Sequence, residues 1–592
     1  MADTQLTAPK GVNTPTTSSK KGKTMGKTDL AASIMARWAS LEVERNYWMS
    51  MWQQLATYVM PRKSYILNKQ YAPNLDRETQ LFDTTAVRAN QTMAAGIMSY
   101  CNDAGSAWCQ LAAPENLEDG EGVSEYFADC TEVILEELAR SNFYNTIHEC
   151  HLDRGAFGTA ALYVDSGAYC PLLFKTFDLG TFAASENNEG YCDVIFIRKE
   201  MTVRQLVEEY GIENVSEQVR KMHESGDGKN YEAKIDMIHA IYPRSDDQRD
   251  KSKKDGQNKP IASVHVECGS KHVLRDSGYD EQPFFISRFL KWQHGVYGWS
   301  PSWVALPDAK QLNFLQKQMD ALAELTAFPR LLIPEGMNGE PDLTAGGITY
   351  FNAMDPSAMP REWATGGRYD VGLDRIRMKQ QHIEDAFNVP MFQMFAQEEM
   401  GSGGSPITAT QVRAMEAEKL TMLSPTYSRL TTELLIPTIK RVYGILARRG
   451  LFPPPPKALI QYTASGEPFL PEPQVIFNNK MSIAIATRSV SAIDEAVSQS
   501  LQTVQITQDQ SILDNFNFDK IVREKALANG GDPDFLRSEV EIAQMRQQRA
   551  QAQAQAQQQQ AQAHGAQVAQ KLGSVNPQSA VGQQLQKGMQ QS

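Results

Sequence analysis

Ser302–Ala327 runs SWVALPDAKQLNFLQKQMDALAELTA, and its apolar residues keep a helical step. Leu312, Leu315, Met319 and Leu322 recur at intervals of three and four, which is one stripe on an α-helix. Phe328 and Pro329 stop the helix, because proline disfavours helical geometry in the residue before it. A second helix is predicted over Leu373–Asn388, where Leu373, Ile376, Ile383 and Phe387 share one frame and Pro390 marks the end. A glycine-rich run follows: Met400, Gly401, Ser402, Gly403, Gly404, Ser405, Pro406. A long third helix is predicted from Thr408, where Thr408 and Gln411 form a T-x-x-Q capping box. It ends at Arg448, Arg449 and Gly450, with cations at its negative end and a glycine past the last turn. Two proline residues inside it, Pro425 and Pro437, each remove a backbone donor and predict a kink. Helix, insert, helix, flexible loop and long helix suit a rod with one module at its tip and a loop at its base. The insert carries strand candidates at Arg330–Ile333 and Gly347–Phe351, in about forty residues, too few to fold robustly alone.

Working outward, residues 1–28 are Thr, Ser, Lys and Gly with few large apolar side chains, and predict a disordered tail. A strong helix is expected over Asp29–Met60, where Ile34, Trp38, Leu41, Trp48, Trp52, Leu55 and Val59 keep one face and Arg45 interrupts it. Its aromatic residues fit either an intramolecular core or a subunit contact. Further helices are predicted over Leu81–Tyr100, Ser124–Leu138 and Asn142–Leu152. The period then changes. Phe157–Asp165, Cys192–Arg198, Lys234–Tyr242, Ser263–Glu267 and Phe284–Trp292 are strand-like, with a short helix at Thr202–Tyr210. The polar loop Ser245–Lys259 is predicted as a mobile insert between strands. Gln474–Ile485 has strand character, and 489–547 is helical with a break near Gly530. The Gln/Ala run Gln551–Ala563 has no apolar stripe and fits disorder or a helix extending an oligomeric barrel. The fold class is therefore α+β, mostly helical.

Composition bounds function. The net charge of −12 argues against a protein that grips nucleic acid over its whole surface, yet leaves room for one basic strip. Seven scattered cysteines without a C-x-x-C pair fit buried thiols in a reducing compartment. No apolar run is long enough to span a membrane, so no membrane partner is expected. No phosphate-binding loop, nucleophile elbow or H-E-x-x-H motif is present. His148 and His151 have helical ligand spacing but lack companions, so no metal and no other cofactor is expected. No catalytic set emerges, and the expectation is not an enzyme. The basic residues Lys310 and Lys317, seven apart on the first rod helix, and Arg375, Arg377 and Lys379 on the second, stand out. They fit either an ordinary solvated face or, in a ring, belts of positive charge that follow DNA phosphates without reading bases.

The order of these parts resembles one family, the head-to-tail connecting (portal) proteins of short-tailed, T7-like bacteriophages. The residues that carry the resemblance are Leu81–Ala86, Met93–Ile97 and Trp108, then Ser141–Phe143, Asp153–Gly155 and Gly158–Ala161. Gly298–Pro301, Ala305–Asp308, Leu312 and Asn313 follow, then Thr408–Gln411, Pro425–Tyr427, Glu433, Leu434 and Pro437. The resemblance implies a portal-type subunit. It would have a wing at 29–301, a stem helix at 302–328, a small α/β clip at 329–370 and a second stem helix at 371–394. A channel (tunnel) loop at 395–407 would hold Met400, Gly401, Ser402, Gly403, Gly404 and Ser405. A long helix returning to the wing would fill 408–488, a helical crown 489–547 and a Gln/Ala-rich tail 548–592. It further implies a ring of twelve copies at one vertex of the virion capsid, assembled in the host cytoplasm. Double-stranded DNA would pass through it nonspecifically. Expected partners are the major capsid protein and scaffold, the terminase and tail adaptor (tail tube) proteins. The narrow stripes on the rods are expected to find cover only beside the same rods of neighbouring copies, head to tail around an axis. The alternatives are a DNA-processing enzyme and an oligomeric coiled-coil scaffold or adaptor of the virion.

Overall fold

Helix α1 (Lys27–Val59) covers the first six turns and more of the described chain, and its two halves serve different cores. The computed structural model describes residues 26–67, 81–114, 122–167, 169–250, 252–253, 255–292, 295–328, 330–332, 342, 361–362, 369–398, 423–462, 468–507, 515–528, 542 and 544–556. Ala31, Ile34 and Trp38 of α1 lie on a five-stranded sheet, whereas Met49, Trp52, Leu55 and Val59 enter the main core. Arg45 sits at the changeover. It is buried, and its guanidinium donates to Gly180 O at 2.8 Å and Glu42 Oε1 at 2.7 Å while lying 5.2 Å from the Trp38 ring. The interruption in the apolar face is thus an internal cation held through its two terminal nitrogens, while its buried Nε has no partner. The tryptophans of α1 take the intramolecular alternative, with Trp48 packed on Trp52, Tyr297 and Trp303, whereas Tyr47 stays 81% exposed.

Helices α2 (Thr85–Cys101), α3 (Val123–Arg140) and α4 (Phe143–Phe157) surround that core. Strand β1 (Cys109–Ala112) lies between the first two. A three-stranded sheet, order β3-β2-β9, follows from β2 (Thr159–Asp165), β3 (Leu173–Thr176) and β9 (Phe284–Arg288). The five-stranded antiparallel sheet runs β4 (Phe182–Glu186), β5 (Cys192–Thr202), β6 (Lys234–Pro243), β7 (Ile261–Glu267) and β8 (His272–Tyr279), in sequence order. Its strands alternate, as period-two side chains must. Phe196, Ile238, Ala240 and Val264 meet α1, while Met237 and Leu274 meet α5 (Val203–Tyr210) and α6 (Glu217–Glu224). Thr202 and Gln205 close a full capping box at the start of α5. A single turn, α7 (Gly228–Tyr231), leads into β6. The loop expected to be a mobile insert is tied down instead: Arg244 donates to Gly256 O at 3.1 Å and to Asp276 Oδ1 at 2.6 Å.

The chain crosses itself where α4 ends. Gly158 has φ +82°, and a Cβ there would come within 2.6 Å of Gly298 O. Gly298 N donates to Thr159 Oγ1 at 2.8 Å, within the short pair β10 (Leu290–Lys291) and β11 (Gly298–Trp299). Ser300 and Ser302 then donate to the last open carbonyls of α4, Ala156 O at 3.0 Å and Gly155 O at 2.8 Å. That fixes the origin of α8 (Pro301–Ala327).

Three expectations need correction, and a fourth gains a definite form. The second rod helix, α9 (Tyr369–Ala386), is not ended by Pro390. Asn388 turns left-handed at φ 54°, and Pro390 lies in the first turn of α10 (Val389–Glu398), where its missing N–H is harmless. The strand expected over Gln474–Ile485 is only β16 (Gln474–Phe477), and it pairs with β1 rather than with either larger sheet. Helix α13 (Lys480–Thr507) begins directly after it. The apolar stripes of the rods are not left for neighbouring copies. Leu312, Met319, Ile376, Ile383 and Phe387 are buried within their own chain. The kink expected at Pro425 or Pro437 is a π-helical segment, Thr431–Leu435, between α11 (Ser424–Leu430) and α12 (Ile436–Arg448). The short hairpin β14 (Gln461–Tyr462) and β15 (Pro468–Phe469) follows. Farther on, α14 (Phe518–Ala528) and a helix over 544–556 are described, so the first part of the Gln/Ala run is helical.

His239 and His265 face each other across β6 and β7, rings stacked 3.9 Å apart and buried. Ser263 Oγ lies 2.9 Å from His239 Nε2, and Tyr210 OH 2.9 Å from His265 Nδ1. Burial holds both neutral, helped by the nearby cations Lys199 and Arg275; His265 is lowered to about 3. The unfolded chain takes up these protons near the ordinary histidine value of about 6.5. Stability is therefore intact above that value and declines as pH falls from about 6.5 towards 3. Melting curves between pH 7.5 and 4.5 should show a steep loss, and the double variant H239Q/H265Q should lose less over the same interval.

Candidate functional site

Helices α8 and α9 form an antiparallel hairpin. Met319 packs against Gly372, Lys379 pairs with Asp308, and beyond them β12 (Leu331–Leu332) pairs with β13 (Arg361–Glu362). The partner of the first predicted insert strand is thus Arg361–Glu362; Gly347–Phe351 lies outside the described residues. The base of the hairpin is clasped by the segment before α2. Phe82 N donates to Asn313 Oδ1 at 2.6 Å, and Gln380 Nε2 to Asp83 Oδ2 at 3.1 Å. Apolar side chains remain on its outside: Val304, Phe314 and Phe328 on the first side, Val371 and Met378 on the second. Phe314 keeps 62% of its surface in water, which is costly for an isolated subunit.

The five basic residues fall into three groups. Lys310 and Lys317 share a face, as their spacing requires, but only Lys310 is turned onto the body of the chain, and Lys317 stays exposed. Lys310 Nζ donates to Gln54 Oε1 at 2.6 Å and stands 6.0 Å from the Tyr58 ring, and Lys317 Nζ stands 5.5 Å from the Phe82 ring. Lys379 is half-buried in its 2.6 Å pair with Asp308. Arg375 and Arg377 are exposed. Two residues apart, they point about 200° apart around α9, so one surface cannot hold both. The loop residues Met400, Gly401, Ser402, Gly403, Gly404 and Ser405, and the capping pair Thr408 and Gln411, lie outside the described residues.

Where the chain is described again, α11, the π segment and α12 dock on the three-stranded sheet through buried charge. Glu433 accepts from Arg288 N at 2.8 Å, Nε at 3.1 Å and Nη2 at 2.7 Å, and from Arg429 Nη1 at 2.9 Å. Arg288 also donates to Gly190 O at 2.9 Å and pairs with Glu186, which binds Lys291 at 2.7 Å. Arg154, equally buried, donates to Thr426 O at 2.7 Å and lies 5.2 Å from the Phe289 ring. Further along α12, Glu281 accepts from Arg441 at 2.5 Å and from Arg448, which hold its carboxyl below the usual range against burial. Sequence patterning missed this hub, because Arg288 lies in a strand and Glu433 in a helix far apart in the chain. Its one trace was a polar side chain on an otherwise apolar face, Glu433 beside Leu434 and Leu435.

Chemistry is sparse. Among the described residues no group of three His, Cys, Asp or Glu side chains could hold a metal ion. His151 is buried beside Arg154, with burial pushing it down to about 3, and both ring nitrogens lack a partner. Cys101 and Cys109 are buried thiols, each pushed up to about 12 by burial. Among the described residues no helix is long and apolar enough to cross a membrane. A cleft of about 340 Å³ lies between Tyr65, Phe177, Asp178, Arg198 and Lys199. Its main charges are already matched, Asp178 to Tyr65 and Lys63 and Arg198 to Asp236.

A family model described as "Bacteriophage head to tail connecting protein" matches residues 31–536. A protein of Bordetella phage BPP-1 described as "Probable portal protein" is 29% identical over 555 residues, covering 92% of this chain and 95% of that one. The "Portal protein" of Salmonella phage epsilon15 is 29% identical over 524 residues, covering 87% of this chain and 90% of that one. Among solved structures, a chain of the "Virion of native gene transfer agent (GTA) particle" matches at TM-score 0.34 and 11% identity, over 71% of this chain and 88% of that one.

The grouping of cations predicts separable effects. Lys379→Met and Lys310→Met should each lower unfolding free energy by up to about 1 kcal/mol, because each loses a half-buried partner. Arg375→Gln and Arg377→Gln should stay within about 0.5 kcal/mol of the parent in a urea titration.

Proposed function

The chain belongs to the family of bacteriophage head to tail connecting proteins, and from that membership we propose that it is a portal subunit whose copies close into a ring of twelve at one capsid vertex. The observation that carries this is the match over residues 31–536, together with relatives aligned over nine-tenths or more of their own length. The ring is the conduit for DNA during packaging and ejection, and the platform for terminase and then for tail adaptor proteins. It sits in the virion and contacts the major capsid protein. The antiparallel hairpin α8–α9 is the stem, and the residues between its arms are the clip. The mixed α/β body before it is the wing, and the helices beyond 489 are the crown. The α+β, mostly helical architecture supports this assignment.

Exposed apolar residues on the hairpin, Val304, Phe314, Val371 and Met378, supply the contact between copies, in place of the buried stripes. Such contacts are heterologous and close a ring when the rotation between neighbours divides a full turn. Of the basic residues, Lys317 and one of the pair Arg375 and Arg377 are left to meet phosphates. Contacts of that kind are weak, nonspecific and sensitive to salt, which passage of a duplex requires. The glycine-rich run 400–405 is the channel loop, which flexes against moving DNA because glycine lacks a Cβ.

Twelve copies of 66.0 kDa make about 0.79 MDa. Light scattering and class-averaged electron micrographs of purified protein should show a ring of roughly that mass with a central hole. A monodisperse monomer would sink the proposal. Deleting Ser402–Ser405 should leave ring mass unchanged while phage carrying the deletion package or retain less genome. A deletion that abolishes assembly would instead place those residues in the interface.

A further inference from the structure

The π segment Thr431–Leu435 sets one extra residue into the ladder of a helix that otherwise runs from Ser424 to Arg448. Such a segment is under tension, since its geometry is poorer than that of the α-helix on either side. Losing the extra residue would turn everything upstream by about 100° relative to α12 and move it by about 1.5 Å. Three features hold it in place. Pro437 has no N–H, so the segment cannot pass towards the C-terminus without meeting a position that donates nothing. Thr431 Oγ1 donates to Ser428 O at 2.8 Å, and Thr432 Oγ1 donates to the same carbonyl at 2.9 Å. These hydroxyls add to the backbone bond that Ser428 O already takes from Thr431 N. Glu433, in the middle of the segment, is clamped by Arg288 through its backbone and its guanidinium.

The upstream side has counter-bonds of its own. Arg154 holds Thr426 O, and Tyr427 OH donates to Asn479 Oδ1 at 3.0 Å. Both depend on the present rotation of α11 and would part if it turned. On the far side, Arg288 reaches Glu186 and the carbonyl of Gly190 in the β4–β5 turn. One buried guanidinium, 2% exposed, therefore joins the helix to the sheet edge.

We propose that the Glu433–Arg288 clamp on this π segment is a register latch: it sets the rotation of the helix that arrives from the 399–422 stretch and couples that rotation to the β4–β5 hairpin. Resting on the reading of 395–407 as channel loop, the latch is the element through which a push on the loop is converted into a turn of α11 and passed to the body. Glu433 and Arg288 are positioning residues and touch no DNA.

The test is hydrogen exchange on full-length assembled protein. E433Q keeps the shape of the side chain and removes its charge. Amides of residues 427–436 should exchange about tenfold faster or more, since a hydrogen bond to a charged group is lost. Exchange in β5, β6 and β7 should be unchanged, and ring mass intact. R429Q, which removes only the half-exposed partner, should give the same local pattern at about threefold. It decides the matter if E433Q does not assemble. A uniform rise across the sheet, or no rise at 427–436 in either variant, overturns the latch. A second arm measures genome retention in phage carrying E433Q or R429Q. Loss of retention with the local exchange pattern supports the coupling to the loop. Unchanged retention with that pattern overturns the coupling, and wild-type protein that forms no ring fails the conduit reading instead.

Discussion

Burying Arg288 against Glu433 is the constraint around which the described body is arranged. Two charges taken out of water are tolerated only when every donor and acceptor finds a partner. Here the guanidinium meets Glu433, Glu186 and Gly190 O, and the carboxylate meets Arg429 and the backbone of Arg288 as well. Removing one partner from such a pair costs about 3–5 kcal/mol, because the other is left charged and dry. The pair can form only if β9, the β4–β5 turn and the helix 424–448 come together in one register. It therefore specifies an arrangement more than it adds stability.

Several residues that carry the family resemblance lie at this joint or beside it. Gly158 and Gly298 let two backbones cross in contact, Ser300, with Ser302 next to it, finishes α4, and Arg154 reaches across to Thr426. Asp153 pairs with Lys63 at 2.8 Å one turn away. The hairpin α8–α9 springs from the same place, so its direction is inherited from the crossing. Asp83 and Asn313 then hold its base. Packing at the joint accounts for motifs that otherwise look like isolated small or charged residues.

Periodicity made the long elements legible. The spans of α1, α8 and α9, and of β2, β5, β6 and β7, were readable because each has a one-sided or alternating apolar pattern long enough to be unambiguous. Strands β3, β4 and β8 were not, since they are short or mixed and take their place from their neighbours. Pro390 misled, since it opens a helix instead of ending one, whereas Pro437 marks a place where the ladder widens into a π segment. Which cations are available was also not readable. Spacing placed Lys310 and Lys317 on one side of a helix, but only the position of α1 showed that Lys310 is taken up by the chain itself while Lys317 is exposed. The glycine-rich run was legible by composition alone, and it falls outside the described residues.

The covered stripe on α8 and α9 changes what assembly has to accomplish. A rod that needed its twin for shelter would fold and associate in one step. Here Leu312, Met319, Ile376 and Ile383 are already dry in the lone subunit. In the proposed ring each subunit would thus come to its neighbours as a finished part, and the number that fit round the circle would be set by the wedge angle between their faces. Small shifts in that angle would give circles of different size from the same piece, so the count would be a matter of geometry at the seam and leave the fold untouched.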